Sequence, residues 1–529
     1  MEPNARPPHG TGTGSPDTTS IRGSMSLSHA DLESFAEASG DRNPLHMSAE
    51  YARRTPFGRR VVHGVLAAMA ALDQVPATPG TVDGVDLEFR QPLHLDVRYG
   101  VAISHPVPGR TLLTVLDGDV TCATVTLSYG PASDVAHLPR SLRREPRVVT
   151  TDELVPGFAV TGSYGPGAGL DVLCRRWPNA ARLLGRLPLT CLLWCSFVTG
   201  MELPGSDCLL GGVSLRLRPV GPAGPLDLRY RAEVTGFDSR FGLLTGTASL
   251  GDGTAVVADA TLETMVRRPV PGVSADRLTG LLPRSDRLRG HTSVVVGGSR
   301  GLGAALALAL ASQGGRVLVG HRSTPGGPAQ PAVPGHLTAP AAHGDLAELA
   351  ALGAGLGGEL VSCPGDAATG DWSRRAAEAA RGSLDLLVCC AAPPIRPLRL
   401  DPAGLGRVQD FVTGAFALVS TPMAGLLGAV DRARGRCLVV SSSAVTAPPV
   451  DWPHYVAAKY AVEGLVHWAA AWHPDTEFFV TRPGMLLTEQ MNTPGARERA
   501  AAVEPVAATL VRRLADPAPA TDRPEFVAV

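Results

Sequence analysis

Part of the first third of this 529-residue chain returns in its middle third with the order kept. Gly84-Val85-Asp86-Leu87-Glu88-Phe89-Arg90 recurs as Gly212-Val213-Ser214-Leu215-Arg216-Leu217-Arg218. Leu95-Asp96-Val97-Arg98-Tyr99 recurs as Leu226-Asp227-Leu228-Arg229-Tyr230, and Leu112-Leu113-Thr114 as Leu243-Leu244-Thr245. Internal self-similarity means that one structural unit is used twice, which fixes much of a fold before any single element is assigned. Residues 150 to 270 therefore read as a second copy of whatever the first third folds into.

The first copy holds a dense string that the second lacks: Phe35-Ala36-Glu37-Ala38-Ser39-Gly40-Asp41-Arg42-Asn43-Pro44-Leu45-His46, then Phe57-Gly58, then Val61-Val62-His63-Gly64. Ser28 with Asp31 ahead of an apolar run marks a helix start. Gly40 to Pro44 concentrates breakers and predicts a turn. Such a turn brings Asp41 and His46 to one point, where a carboxylate and an imidazole can hold a water and move its proton during addition to, or formation of, a double bond. The string resembles the signature of the R-specific enoyl-CoA hydratase, or MaoC-like, family. That resemblance implies a hot-dog fold, an antiparallel sheet wrapped around a central helix, over residues 21–138. It makes Asp41 and His46 the catalytic pair and Asn43 the residue that orients them. Gly64 would open the central helix and offer its N–H to a thioester carbonyl, a position suited to developing negative charge. No Gly-Asp-x-Asn-Pro-x-His string occurs in residues 150–268, so that copy is expected to be a non-catalytic hot dog that completes the sheet and shapes an acyl tunnel.

The remaining third is organised around Lys459, the only lysine among 48 basic Lys and Arg residues. In Tyr455-Val456-Ala457-Ala458-Lys459 the two polar residues are four apart and share a helix face. An ammonium there favours phenolate over phenol, and the planar fork of arginine is no equivalent. Upstream, Ser442 follows the short apolar strand Leu438-Val439-Val440. Thr292 to Val296 reads as a strand running into Gly297-Gly298-Ser299-Arg300-Gly301-Leu302-Gly303 and an alanine-rich helix, an arrangement that presents backbone N–H groups and a helix dipole to a pyrophosphate.

Together with Arg482-Pro483-Gly484-Met485-Leu486-Leu487-Thr488, these residues resemble the short-chain dehydrogenase/reductase family over residues 288–529. The resemblance implies a Rossmann-type, doubly wound parallel sheet. Gly297, Ser299, Arg300, Gly301, Leu302 and Gly303 would cradle the cofactor, Asp366 would meet its adenine, and Ala391 would line it. Pro483, Gly484 and Thr488 would flank the nicotinamide. Ser442 would polarise a substrate carbonyl, Tyr455 give or take the proton, and Lys459 also hold the nicotinamide ribose. The second strand ends in Gly320-His321-Arg322 without a carboxylate, and with Arg300 in the glycine turn this favours NADP(H). Two departures stand out. Cys389-Cys390-Ala391-Ala392 replaces the family's Asn-Asn-Ala-Gly, and Phe411, three residues before Gly414, occupies the position of an active-site Asn, removing a proton-relay group. The last strand is left unassigned.

The expected class is thus multidomain α+β and α/β: a tail over 1–20, a double hot dog over 21–138 and 150–268, and a Rossmann-type domain over 288–529. Basic, proline-containing joints fall near 139–149 and 267–288, and Ser323 to His343 reads as a surface loop. A net charge of −1 suggests neither nucleic-acid nor charged-membrane partners. No apolar run looks long enough for a bilayer and no signal peptide is evident, so a cytoplasmic location is expected. Nine cysteines without zinc spacing and 14 histidines without H-E-x-x-H give no reason to expect a metal. The expectation is a bifunctional enzyme on acyl-carrier-protein or CoA thioesters, compatible with a homodimer. It joins 3-oxoacyl reduction to 3-hydroxyacyl dehydration in fatty-acid or polyketide-type biosynthesis. The oxidative direction on CoA, or a reductase domain kept as a scaffold, are the alternatives.

Overall fold

The structure is a computed structural model describing residues 21–76, 80–131, 138, 144–219, 227–253, 255–322, 346–402, 404–516 and 523–529. The expected tail, the Ser323 to His343 loop and part of the 139–149 joint lie outside the described residues. The chain divides into two compact units, the first holding the residues up to Ala49 and Arg60–Val266, the second Glu50–Arg59 and Arg267–Val529.

In the first unit ten strands form one antiparallel sheet: β1 (Ile21–Met25), β2 (Val82–Phe89), β3 (Tyr99–Ser104), β4 (Arg110–Asp117), β5 (Val120–Tyr129), β6 (Ala159–Ser163), β7 (Cys208–Leu217), β8 (Arg229–Asp238), β9 (Leu243–Gly251) and β10 (Val256–Val266). Their spatial order is β1-β3-β4-β5-β2-β7-β10-β9-β8-β6. The second five repeat the order of the first five in reverse, with β2 and β7 meeting in the middle. These are the two strands that carry the strongest sequence repeat. Asp86 faces its counterpart Ser214, while Glu88 faces Gly212 and Gly84 faces Arg216, so the two copies are related by a two-fold axis through the Asp86–Ser214 pair.

The sheet's apolar residues, among them Leu113 and Val115 on β4 and Val213 and Leu215 on β7, alternate as a pleated strand requires. They share one core with two helices, Gly64–Leu72 and Arg186–Phe197, buried from Val65 to Leu72 and from Leu187 to Phe197. A helix apolar on every side must be enclosed. Truncating a fully buried leucine such as Leu66 to alanine costs about 2–5 kcal/mol.

The second unit is built on seven parallel strands: β11 (Thr292–Val296), β12 (Arg316–His321), β13 (Glu359–Pro364), β14 (Leu386–Cys389), β15 (Arg436–Val440), β16 (Glu477–Thr481) and β17 (Glu525–Val527). The order β13-β12-β11-β14-β15-β16-β17 is doubly wound. Strand order reverses between β11 and β14, and the crevice at the carboxyl ends of those strands is where such sheets take ligands. The strand left unassigned from sequence is β17, three residues paired parallel to β16. The expected joint at 267–288 contains a helix, Ala275–Leu281, started by Ser274, whose side chain accepts from Arg277 N–H.

One expectation is corrected. The helix Leu405–Arg432 is long and apolar enough, by length and composition, to cross a membrane. Residues 411–428 carry no charge, and small and hydroxyl residues mask that run in the sequence. In this unit Leu418, Met423, Leu426 and Val430 pack into the apolar core beneath the sheet.

Candidate active sites

The first site begins at a helix end. Ser28 and Asp31 cap the helix His29–Ser39 reciprocally. Gly40, at φ +74°, terminates it in the left-handed conformation. Pro44 then opens a single turn, Pro44–Met47, capped by the Asn43 side-chain oxygen, which accepts from Leu45 N–H at 3.0 Å. Asp41 and His46 are thereby brought to one place. Asp41 is only 2% exposed. Its Oδ1 accepts from Asn43 N–H at 3.1 Å and its Oδ2 from Ser196 Oγ at 2.7 Å. Burial pushes its carboxyl up to about 7, against the opposing pull of those two donors. The Asn43 amide nitrogen faces the carbonyls of Gly200, Gly205 and Ser206 at 3.3, 3.1 and 3.2 Å.

His46 Nδ1 lies 2.7 Å from the Val61 carbonyl. A carbonyl only accepts, so Nδ1 carries the hydrogen and Nε2 is the basic nitrogen of the neutral ring. The His63 ring stacks on His46 with centroids 3.9 Å apart, and its Nε2 is 3.1 Å from the Asp41 carbonyl oxygen. Burial, with His46 beside it, holds His63 well below the usual imidazole range, hence neutral. One ligand-capable atom from each of Asp41, His46 and His63 falls within 4.8 Å of the others, a span that one water bridges. The same grouping has the donor types of a cation site, which the motif reading did not anticipate. Gly64 opens its helix with no side-chain cap, so the first-turn N–H groups lack intrahelical partners. A Cβ at Gly64 would lie 2.6 Å from the Phe89 ring.

The second site lies at the switch point of the parallel sheet. Gly297 takes φ +80° and Gly301 φ +54° between β11 and the helix Gly301–Ser312. A Cβ on Gly297 would sit 2.8 Å from Ala391 Cα, and one on Gly303 2.1 Å from the Gly297 carbonyl oxygen. Only glycine lets strand, turn and helix approach this closely. Arg300 precedes the helix without a side-chain cap bond, and Ser299, Arg300, Gly301, Leu487 and Glu489 help line a cavity there. Thr488 stands opposite, 3.1 Å from the Cβ position of Gly301. An uncapped helix start behind close glycine backbone fits a pyrophosphate. Leu302 is buried in the helix. Arg322 is exposed just past β12, whereas the Arg300 guanidinium donates to the Arg53 carbonyl. Asp366 is exposed, with Oδ1 accepting from Ala368 N–H at 3.0 Å.

Tyr455 and Lys459 share the helix Pro453–Trp472. The Lys459 ammonium, on a residue 8% exposed, donates to the Val440 carbonyl at 2.8 Å and lies 5.5 Å from the Tyr455 ring centroid. Ser442 follows at the tip of β15, where its Oγ accepts from Ala444 N–H at 3.2 Å. Ser443 N–H donates to the Pro483 carbonyl at 3.0 Å, and the Cβ position of Gly484 is open. Phe411 meets the ring of His454 edge-on, centroids 4.4 Å apart. That histidine is fully buried with no partner at either nitrogen, and burial lowers its pKa.

Residues 13–102 match the MaoC like domain family. A 3-hydroxybutyryl-CoA dehydratase of Methylorubrum extorquens is 39% identical over 90 residues, 16% of this chain and 57% of that protein. An (R)-specific enoyl-CoA hydratase of Aeromonas caviae is 33% identical over 101 residues, 18% of this chain and 69% of the relative. In its N-terminal region the chain belongs to the MaoC-like family. The chain spans little more than half the length of the first of these relatives. A solved alcohol dehydrogenase from Thermococcus sibiricus, complexed with 5-hydroxy-NADP, is 24% identical, with a TM-score of 0.38 over 45% of this chain and 95% of that one. At that level it carries no argument about the second unit.

The MaoC-like site contains residues that its motif did not reveal. Ser196 holds the Asp41 carboxylate, and Gly200 lies so close that a Cβ there would come within 2.3 Å of Asp41 Oδ1. Both come from the copy expected to take no part in catalysis. Their only sequence signal is a hydroxyl near the end of a largely apolar helix and a glycine just beyond it, 155 positions from Asp41 in the case of Ser196. His63 is part of the MaoC-like string, yet its stacking on His46 follows from the meeting of the turn Pro44–Met47 with the start of the helix Gly64–Leu72. In the second unit, Tyr455 and Lys459 share one helix with Ser442 at the neighbouring strand tip, and Gly297, Gly301, Gly303, Ala391 and Thr488 gather at the glycine turn. Arg300 is engaged by a backbone carbonyl, and Asp366 by its own turn.

Proposed function

We propose that the protein is a bifunctional cytoplasmic enzyme acting on acyl thioesters of CoA or an acyl carrier protein. The first unit, read as a double hot dog, would interconvert 3-hydroxyacyl and 2-enoyl thioesters. The second, read as a short-chain dehydrogenase/reductase, would reduce 3-oxoacyl thioesters with NADPH. The product of reduction is the substrate of dehydration, which suits fatty-acid or polyketide-type biosynthesis. The observation that carries the reading is the pairing of Asp41, its carboxyl raised to about 7, with a histidine whose tautomer is fixed by Val61.

In dehydration His46 Nε2 takes the proton from C2 while Asp41 in its acid form gives one to the C3 hydroxyl. The C–O bond breaks, the C2–C3 double bond forms, and water leaves. The first-turn N–H of Gly64 stabilises the charge that builds on the thioester oxygen. Asn43 holds the loop, and Ser196 holds the carboxyl. In the other unit, the turn Gly297 to Gly303 would hold the pyrophosphate and Arg322 the 2′-phosphate. Bound there, NADPH supplies a hydride. Ser442 would orient the carbonyl, Tyr455 donate the proton and Lys459 hold the ribose.

The test is product analysis by mass spectrometry with matched CoA and carrier-protein thioesters and each nicotinamide. Parent, Asp41→Asn and His46→Gln proteins test the first activity; parent, Tyr455→Phe and Lys459→Arg test the second. General acid and base groups are worth about 10²–10⁴-fold, so losses under tenfold in both first-unit variants would refute that assignment. Phe411, set edge-on against His454, favours one alternative for the second unit: a folded parent that binds NADPH without oxidising it would make that unit a scaffold.

A further inference from the structure

Tyr455, Lys459 and Glu463 are spaced four apart on one helix and form a single stripe. The proposed reductase chemistry uses the first two and leaves Glu463 without a role. Glu463 is 4% exposed. Its Oε1 accepts from Ser441 Oγ at 2.5 Å and from Arg482 Nε at 2.9 Å, and its Oε2 accepts from Arg482 Nη2 at 2.6 Å. The guanidinium carbon of Arg482 lies 4.6 Å from the ring centroid of Phe526 on β17.

Each partner is the chain neighbour of a residue in the candidate site. Ser441 precedes Ser442, Arg482 precedes Pro483 and Gly484, and the Lys459 ammonium is held by the carbonyl of Val440, next to Ser441. The two strand tips also touch through their backbones, Ser441 N–H donating to the Thr481 carbonyl at 2.8 Å and Ser443 N–H to the Pro483 carbonyl at 3.0 Å. Strand tips that run into loops are free to shift, and a packed helix can slide along a sheet. One buried carboxylate bound to a side chain from each tip fixes helix, β15 tip and β16 tip in one register. The forked guanidinium adds direction as well as strength. Holding these elements together by packing alone would need no charge, since an apolar pair of similar volume is often as stable as a buried ion pair.

We propose that Glu463 and Arg482 are positioning residues of the reductase site, setting Ser442, the Tyr455–Lys459 stripe and the Pro483–Gly484 segment in their working register. The inference rests on the reductase reading given above.

The test uses the full-length chain carrying Glu463→Met together with Arg482→Met, alongside Glu463→Gln. The double variant replaces the ion pair by an apolar pair and is expected to melt cooperatively, close to the parent, with unchanged enoyl-thioester hydration by the first unit. Its NADPH oxidation with a 3-oxoacyl thioester should fall about 10- to 100-fold in kcat with KM for the thioester little altered, the size of loss that a displacement near 1 Å produces. Its dissociation constant for NADPH, read from nicotinamide fluorescence, should rise clearly. A folded double variant with parental kcat and parental NADPH affinity overturns the proposal. If the double variant does not fold, Glu463→Gln decides: a lower kcat at parental melting temperature supports positioning, and a parental kcat overturns it. A parent that binds NADPH without turnover removes the reductase reading; the clamp is then judged by NADPH affinity alone, weakened in support and unchanged in refutation.

Discussion

Replacing Asp41 by asparagine should abolish hydration and yet stabilise the first unit, and the gain should depend on pH. Burial raises the Asp41 carboxyl from its ordinary 3.8 to about 7, with Ser196 and the Asn43 N–H pulling the other way. A folded-state value above the unfolded one means that the folded protein holds the proton more tightly. The associated stability is fully present below about pH 4 and is lost as pH rises toward about 7. A gap of about three pH units corresponds to about 4 kcal/mol of strain above pH 7 and to less than about 2 kcal/mol at pH 5. Asparagine cannot ionise and keeps an acceptor for the Asn43 N–H, while the Ser196 hydroxyl can turn to meet an amide. Packing and hydrogen-bond costs of the substitution that involve no titrating group are the same at both pH values. At about 2–4 °C per kcal/mol for a unit of this size, the melting temperature of Asp41→Asn relative to the parent should rise by about 5 °C or more between pH 5 and pH 8. Differential scanning calorimetry of both proteins measures this, with Leu66→Ala identifying which transition belongs to the first unit. An Asp41→Asn shift that is identical at the two pH values would mean that the carboxyl titrates normally, and the acid role given to it would fall with that result.

Other consequences are equally direct. Gly200→Ala should reduce hydration by at least about 100-fold, the scale set by small displacements of catalytic groups, because its Cβ would intrude on the Asp41 carboxylate; hydration within threefold of the parent would refute the close contact. Arg322→Ala should weaken NADPH selectively over NADH in a fluorescence titration, since a charge-assisted bond to phosphate is about twice as strong as a neutral one, and equal use of both cofactors by the parent would sink the assignment. Lys459→Arg should disable NADPH oxidation although charge is kept, because arginine lacks the compact ammonium held by the Val440 carbonyl. Phe411→Asn should leave that rate unchanged or raise it; a large loss would show that the contact between Phe411 and His454 is itself required.

The local geometry of both candidate sites could be read from sequence because it is written in short stretches. Ser28 and Asp31, three positions apart, cap a helix, Gly40 ends it, and Pro44 starts the next turn, so Asp41 and His46 converge through nearest neighbours alone. The glycines at 297, 301 and 303 similarly announce a close approach. Tyr455 and Lys459 need only helical periodicity. What could not be read is every contact made by chain folding back on itself. Ser196 reaches Asp41 across the apolar core, and nothing local distinguishes its hydroxyl from one that merely bonds to its own helix. Glu463 looks like a surface residue until Arg482 and Ser441, each from a different strand tip, enclose it. β17 is too short to show a period, and it exists because β16 offers it an edge. The apolar run of Leu405–Arg432 does not stand out because serine, threonine and glycine dilute it.

The seam between β2 and β7 also favours one pairing of copies over another. Two identical first copies joined about the same axis would set Asp86 against Asp86, like charges directly opposed in an antiparallel pair, which is destabilising. The second copy answers with Ser214, whose Oγ donates to Asp86 Oδ1 at 2.7 Å, while Arg216 supplies a cation at 2.9 Å from the same oxygen. The second copy thus sets a hydroxyl and a cation where an identical copy would set a like charge, a difference of about 0.2–1 kcal/mol that favours the tandem pairing at this exposed seam.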